Sequence, residues 1–276
     1  MRILSALLLL LWASAAEASE RVIALGSDVT EIVFALGRGD WLVAVDDTSS
    51  FPEAARTLPR LGYYRSLAPE PLLARRPSLI LATAGAGPDA ALRQAERAGI
   101  RVVRLPQNYS ANGIAQKILT IGRALKAEAE AERLARRIQQ ELAAAGAPAG
   151  NGRPRPRMLL VLAAAPGRIL AAGSNTAGDG FIRLVGGINS FRADGYKPIA
   201  AEAALAAAPD IILVPSHVAE MMGGLEAVAR EPTLARTPAA RAGRIFVVDS
   251  QQALNFGPRL PDAVAGLRRR LAPAGG

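Results

Sequence analysis

Two adjacent tyrosines, Tyr63 and Tyr64, are followed directly by Arg65, although the whole sequence has only four tyrosines. A phenol has a pKa of about 10 in water, so it binds a metal at neutral pH only when other groups stabilise the phenolate. Ferric iron does this as a strong Lewis acid, and a nearby guanidinium adds to the effect. The segment therefore contains the residue types of a phenolate–iron site.

The backbone around these residues decides which side chains point the same way. In an extended segment, Tyr63 and Arg65 lie on one side and Tyr64 faces the other way. We therefore expect Tyr63 to present its phenol with Arg65 beside it, and Tyr64 to be a wall or packing residue. The alternative is that Tyr63 is only a packing residue of its loop.

Most other catalytic and metal-binding patterns are missing from the sequence. It has no cysteine and one histidine, His217, which excludes a cysteine nucleophile and a cage of imidazole and thiolate ligands. It also lacks the Gly-x-Ser-x-Gly motif of serine hydrolases. The neighbouring Asp46 and Asp47 point in different directions and suit a strand end better than a metal site. A site for iron held inside a cofactor is still compatible with these residues. Tyrosine is a known axial ligand of haem, and the haem propionates would suit an arginine-rich cleft.

The first residues have the pattern of a secretory signal peptide. Arg2 precedes an apolar run over residues 3–13, and an Ala-x-Ala pattern predicts cleavage near residue 18. The run is too short for a permanent membrane anchor. Without cysteine the chain can form no disulfide and carries no lipid attachment point. We therefore expect a soluble, monomeric protein of the periplasm.

The net charge of the chain indicates which kind of partner it can bind. The net charge is +9, most of it from arginine, which favours an anionic partner. Nucleic acid is not expected, because the protein is predicted to be exported and aromatic residues are not interleaved with basic ones.

Apolar runs that suit buried strands alternate with helical patterns, which predicts an α/β fold with parallel sheets. Over residues 111–146 the helical spacing is continuous, and one helix of that length would reach about 50 Å. We expect it to be a spine between two lobes. The predicted boundaries are 1–18 for the signal peptide, 19–110 for the N-terminal lobe, 111–146 for the spine helix, 147–157 for a loop and 158–276 for the C-terminal lobe.

One pattern occurs twice in the chain. The segments LAPEPLLARRPSLILAT, from Leu67, and IAAEAALAAAPDIILVP, from Ile199, each place a glutamate seven residues before a proline and a strand after it. The glutamates are Glu70 and Glu202. This repeat predicts two similar lobes.

Parallel sheets bind ligands at the carboxyl ends of their strands, and two facing lobes place the ligand in the cleft between them. We therefore expect ligand contacts in the loops that follow strands, at residues 47–67, 83–90, 106–111, 164–180, 215–224 and 250–260.

The sequence resembles the periplasmic haem-binding proteins, which are the substrate-binding components of ATP-binding-cassette haem importers. They belong to one superfamily with cobalamin- and ferric siderophore-binding proteins. The resemblance is carried by GSDVTEIVFALG, VDDTSSFPEAARTLPRLGYYRSLAPE, AAGSNTAGDGFIRLVGGIN and NFGPR, and it spans essentially the whole chain after the signal peptide. It implies a class III periplasmic-binding-protein fold that captures ferric haem between its lobes and delivers it to a permease dimer with its ATPase, without enzymatic activity.

The resemblance also implies roles for individual residues. Tyr63 would ligate the haem iron and Arg65 would support it. The possible cleft residues are Tyr64, Tyr196, His217 and Arg259, and for His217 a surface or capping role is favoured over iron ligation. Some relatives carry a histidine in the loop that here reads AAAPGR, at residues 163–168, so no second axial ligand is expected from that loop.

Glu70 and Glu202 would dock on arginines of the permease. They would also suit the first turn of a helix, where the dipole favours acidic side chains, and the two roles are compatible.

Two other functions stay open: the same fold could carry a siderophore or cobalamin, or the chain could be an exported enzyme with the glutamates as acid and base. The enzyme is disfavoured because the glutamates occupy equivalent positions in separate lobes.

Overall fold

The computed structural model describes residues 20–146, 154–165 and 168–272. The predicted signal peptide lies outside these residues, as does most of the predicted loop 147–157. Within the described ranges, none of the helices has both the length and the hydropathy needed to cross a bilayer.

The strands are β1 Val22–Leu25, β2 Leu42–Val45, β3 Leu79–Ala82, β4 Arg101–Arg104, β5 Arg157–Ala165, β6 Arg168–Ala172, β7 Ile188–Asn189, β8 Tyr196–Pro198, β9 Ile211–Pro215 and β10 Ile245–Val248. The α-helices are α1 Ser27–Ala35, α2 Pro69–Ala74, α3 Asp89–Arg97, α4 Ala111–Ala124, α5 Glu128–Gly146, α6 Ala177–Leu184, α7 Ala201–Ala206, α8 Ser216–Met221, α9 Leu225–Arg230, α10 Pro238–Arg241, α11 Ser250–Leu254 and α12 Leu260–Leu271.

The first sheet is parallel, as predicted. Its strand order is β2-β1-β3-β4, and all three neighbouring pairs run in the same direction. β1 is buried along its whole length because both faces of the sheet are covered. Val22 and Ala24 belong to one apolar cluster and Ile23 and Leu25 to another, as alternation along a strand requires.

The second sheet is mixed, and here the prediction of parallel sheets was incomplete. The order is β10-β9-β5-β6-β8, with β7 also paired to β5. β5 is parallel to β7 and β9 but antiparallel to β6. Only two residues separate β5 from β6 along the chain. A parallel pairing would need a crossover connection of a dozen or more residues, so these two strands can pair only as a hairpin.

The prediction of one continuous spine helix was wrong. The helical region contains α4 and α5, and α4 ends in a Schellman motif: Lys126 is left-handed, with φ 52°, and the Ala127 N–H bonds to the Gly122 carbonyl at 2.8 Å. The chain then turns back along α4, so that Gln139 Nε2 donates to Asn112 Oδ1 at 3.0 Å. The two helices therefore form an antiparallel hairpin, and only α5, of 19 residues, continues toward the second sheet.

The repeat predicted from the sequence is also present in the order of the elements and in the backbone conformation. α2 precedes β3 as α7 precedes β9, with Leu72 and Ala204 buried at the same step of each helix. The residue before each proline is left-handed in both copies, Arg76 with φ 46° and Ala208 with φ 40°. Such a conformation is uncommon outside glycine, so its presence at both equivalent positions supports two similar lobes.

The helical hairpin depends on a close approach at Gly122. A Cβ atom at this position would lie 2.2 Å from the Cβ of Ala131 on α5. We expect Gly122→Val to lower the free energy of unfolding by about 1–3 kcal/mol through overpacking, measured by urea denaturation. The control is Gln116→Val, at an exposed position of the same helix, which should change stability much less. Equal stabilities of the two variants would contradict the close packing of α4 on α5.

Candidate functional site

A cavity of about 460 Å³ opens between the two sheets. Its lining comes from both lobes, and most of it follows the carboxyl ends of strands: Gly26 after β1, Thr48 after β2, Thr83 after β3, Pro106 after β4, His217 after β9 and Ser250 after β10. All six loops predicted to contact a ligand contribute at least one residue. The topology therefore places the cavity where parallel α/β sheets bind ligands.

All four tyrosines of the chain line this cavity. Three of them, Tyr63, Tyr64 and Tyr196, were singled out from the sequence. Tyr109 was missed as a residue, although its loop was predicted to contribute. Its ring packs edge-on against Phe256, with centroids 5.1 Å apart. An aromatic lining of this kind suits a flat, largely apolar ligand.

The tyrosine pair lies in a turn and not in an extended segment. Ser66 N–H donates to the Tyr63 carbonyl at 2.9 Å, which closes a turn over Tyr63, Tyr64, Arg65 and Ser66. Tyr64 therefore does not face away from Tyr63, as the extended geometry predicted. Both rings line the cavity, with centroids 4.9 Å apart and planes at 62°.

The two phenols have different surroundings. Tyr63 is 46% exposed, whereas Tyr64 is half-buried and packs on the apolar cluster below β3. Burial raises the pKa of the Tyr64 phenol to about 12, although the charge of Arg65 opposes it. Of the adjacent pair, Tyr63 therefore presents the more exposed phenol.

Arg65 lies beside both phenols. Its guanidinium carbon is 4.9 Å from the centroid of the Tyr64 ring. Burial lowers the pKa of Arg65, but the neighbouring phenols of Tyr64 and Tyr63 outweigh this effect and raise it overall. The cation is therefore positioned to stabilise negative charge on a phenolate.

His217 lines the cavity from the second lobe. Its Nδ1 lies 2.6 Å from Ser250 Oγ, and its backbone N–H donates to the same oxygen at 3.3 Å. The hydroxyl thus fixes the orientation of the ring. In the loop at residues 163–168, residues 166 and 167 lie outside the described part of the chain.

A buried ion pair at the cavity was not foreseen. Lys117 Nζ pairs with Asp28 and also donates to the Phe256 carbonyl at 3.4 Å. Both charged side chains are under 10% exposed, and Thr83 Oγ1 donates to the same carboxylate at 3.3 Å. The sequence contained an indication of this ion pair, because Lys117 is the one charged residue among the buried positions of α4. The pair cancels its own charge, which leaves Arg65 as the uncompensated cation among the described lining residues.

Arg259, predicted as a possible cleft residue, lies outside the cavity lining. It makes two bonds to Glu31, with Nε to Oε2 at 3.0 Å and Nη2 to Oε1 at 2.5 Å. Its guanidinium carbon is also 4.0 Å from the centroid of the Phe51 ring. The reason is electrostatic: Glu31 is 5% exposed, and a buried carboxylate requires a partner.

Arg259 belongs to a set of polar contacts that we call the clasp, between the C-terminal segment and the first lobe. The clasp comprises Gln251 Nε2 to the Thr48 carbonyl at 3.3 Å, Asn255 Nδ2 to Ser27 Oγ at 2.5 Å, and the Arg259–Glu31 pair. These bonds cross from one lobe to the other beside the cavity.

The remaining predicted residues lie elsewhere. Asp46 is buried at the end of β2 and accepts bonds from the N–H groups of Gly26, at 2.9 Å, and Thr48, at 3.0 Å, so it is a structural cap. Glu70 and Glu202 are exposed in the first turns of α2 and α7. They occupy matching positions on the two lobes and do not line the cavity.

Comparison with solved structures gives matches over nearly the whole chain. The periplasmic heme-binding protein BhuT, solved with two hemes, is 38% identical, with a TM-score of 0.86 over 92% of this chain and 98% of that chain. RhuT from Roseiflexus sp. RS-1, solved in apo form, is 36% identical, with a TM-score of 0.86 over 91% and 97%. HutB of Vibrio cholerae is 32% identical, with a TM-score of 0.84 over 93% and 100%.

Curated relatives match a shorter part of the sequence. The vitamin B12-binding protein of Vibrio vulnificus (strain YJ016) is 40% identical over 103 residues, which is 37% of this chain and 38% of the relative. The match thus spans well under half of the length of these relatives. The family model described as "Periplasmic binding protein" matches residues 22–252. This chain therefore belongs to the periplasmic binding protein family.

Proposed function

We propose that this protein captures ferric haem in the cavity between its lobes and delivers it to a permease dimer of an ATP-binding-cassette importer. It does so as a soluble, monomeric periplasmic protein that catalyses no reaction. Tyr63 is the axial ligand of the iron and Arg65 supports its phenolate. The observation that carries this proposal is the exposed phenol of Tyr63, held in a turn at the cavity with Arg65 beside it.

The lining suits haem in three respects. Tyr109, Tyr196 and Phe256 provide aromatic surface for a flat macrocycle. Tyr63 provides an anionic oxygen, which favours the ferric state of the iron. Arg65 is an uncompensated cation, and the net charge of the chain is +9, so anionic propionates meet a favourable field.

The similar solved proteins support the same ligand. BhuT, RhuT and HutB are each described as periplasmic heme-binding proteins, and each is more than 30% identical to this chain over more than nine tenths of its length. Cobalamin is the second candidate, because the curated relatives are described as vitamin B12-binding. A corrinoid brings its own cobalt ligands, so this alternative predicts binding that does not depend on Tyr63.

Delivery would use the matching glutamates. Glu70 and Glu202 are exposed at equivalent positions of α2 and α7, so one acidic residue on each lobe can meet one subunit of a permease dimer. Equivalent sites on two similar lobes suit a partner with two-fold symmetry. Their proposed partners on the permease are arginines.

We expect haemin to give a saturable Soret band with a high-spin ferric tyrosinate spectrum when titrated into the protein. In Tyr63→Phe this spectrum should be lost and the affinity reduced by at least about tenfold, because the iron loses its anionic ligand. Tyr64→Phe should keep the tyrosinate spectrum. If Tyr63→Phe binds haemin with the same spectrum as the parent protein, Tyr63 is not the ligand. If the parent protein binds cyanocobalamin and not haemin, the cobalamin alternative replaces the proposal.

Docking is tested with permease and ATPase reconstituted in proteoliposomes. The double variant Glu70→Ala, Glu202→Ala should reduce stimulation of the ATPase by the haem-loaded protein about tenfold, because two charge-assisted contacts are lost. Its haemin titration should match that of the parent, since neither side chain lines the cavity. Glu226→Ala, at another exposed glutamate, is the control and should stimulate normally. Equal stimulation by the double variant and the control would rule out docking through Glu70 and Glu202.

A further inference from the structure

Arg65 can support Tyr63 only if its guanidinium stays in place. A long, exposed arginine side chain has many rotamers, and holding it in one costs conformational entropy. Arg65 has no ion-pair partner in the part of the chain that the structure describes. Something other than a carboxylate must therefore restrict it.

One restriction is the ring of Tyr64. The guanidinium carbon lies 4.9 Å from the ring centroid, which is within the range of a cation–π contact. The ring itself is fixed, because it packs on the apolar cluster that contains Leu61 and Leu67. Its other neighbour is the ring of Tyr63, edge-on at 4.9 Å. Tyr64 thus contacts both the cation and the phenol that the cation is to support.

The second restriction is the backbone at Gly85, in the loop after β3. A Cβ atom at this position would lie 2.6 Å from Arg65 Nη1, so the guanidinium occupies the space that any other residue would fill. Gly85 also has φ 81°, a conformation that glycine adopts without strain. The guanidinium therefore lies between an aromatic ring and a bare stretch of backbone.

Backbone hydrogen bonds fix the position of the Tyr64 turn relative to the Gly85 loop. Gly87 N–H donates to the Tyr64 carbonyl at 2.8 Å, and Leu67 N–H donates to the Gly87 carbonyl at 2.8 Å. These bonds join the loop of Gly85 to the turn of Tyr64 on both sides of Arg65. The spacing between ring and glycine is thus set by the fold and does not depend on Arg65.

We propose that the Tyr64 ring and Gly85 form a slot that holds the Arg65 guanidinium beside Tyr63, and that Tyr64 is a positioning residue acting through its ring. This inference rests on the proposed function, because it assigns the slot a role in holding haem iron.

The haemin complex of the protein tests the slot through two readouts. These are the rate of haemin loss to apomyoglobin and the energy of the phenolate-to-iron charge-transfer band, which reports the electrostatics at the Tyr63 oxygen. Tyr64→Leu removes the ring and should speed haemin loss about twofold to tenfold, as expected for one cation–π contact, and should shift the band. Tyr64→Phe keeps the ring and should recover most of both effects.

Gly85→Ala should act in the same direction as Tyr64→Leu, because its methyl group displaces the guanidinium. The matched control is Gly99→Ala. Gly99 has φ 84° and nothing within 4 Å of an added Cβ atom, so it carries the backbone strain without the displacement and should leave both readouts at the parent values. If Tyr64→Phe is as impaired as Tyr64→Leu, or if Gly85→Ala matches Gly99→Ala, the slot does not position Arg65.

The ligand-free protein separates this inference from the proposed function. In the parent protein and in Tyr64→Phe, the Arg65 Nε–H signal in 15N NMR should show restricted motion, and in Tyr64→Leu it should show the fast motion of a free side chain. Restricted motion in all three proteins would overturn the slot even if haemin binds. Failure of the parent protein to bind haemin, with Arg65 ordered only when residue 64 has a ring, would overturn the haem proposal and leave the slot in place.

Discussion

The two lobes are joined through the polar face of α1, and the cavity depends on that junction. Ser27, Asp28 and Glu31 are each at most 5% exposed, although they lie on a helix that is otherwise packed in an apolar core. Each has a partner from another part of the chain: Asn255, Lys117 and Arg259. Lys117 lies on α4 and reaches the C-terminal segment through the Phe256 carbonyl, whereas Asn255 and Arg259 belong to that segment. Removing one partner of a buried ion pair costs about 3–5 kcal/mol, so the contacts of Asn255 and Arg259 hold the C-terminal segment against the first lobe.

This junction explains why the cavity has a defined shape. The lobes are connected along the chain by α5 and through side chains by the clasp, and four clasp residues line the cavity: Ser27, Thr48, Gln251 and Asn255. Loops from the carboxyl ends of both sheets then meet across a limited distance. A binding site formed in this way needs little rearrangement before a ligand enters, which reduces the conformational cost of binding.

The sequence predicted the α/β class, the repeat and the loops around the cavity, because each of these features produces a pattern in a short stretch of sequence. Buried parallel strands such as β1 and β3 appear as continuous apolar runs, and the repeat is visible as Glu70 and Glu202 before matching strands. The helical hairpin was missed because apolar residues at helical spacing look the same whether the chain continues or turns back. A lysine at the left-handed position, Lys126, is not the glycine that usually marks a helix end.

The site was predicted in part for the same reason. Tyr63, Arg65 and His217 lie in loops that follow strands, and such loops were predicted to contact the ligand. The turn at Tyr64 could not be predicted, because it depends on a backbone hydrogen bond that the sequence does not reveal. Arg259 was only a possible cleft residue in the sequence, and its actual partner Glu31, 228 residues away in sequence, is known only from the fold. Long-range charge pairing of this kind has no periodic signal.

Haem capture by Tyr63 is tested by the position of iron in crystals of the protein grown with haemin, located by anomalous scattering at the iron edge. We expect iron in the cavity between the lobes, within bonding distance of the Tyr63 Oη atom and with Arg65 beside that oxygen. An iron coordinated by another side chain, or no iron in this cavity at saturating haemin, would contradict it.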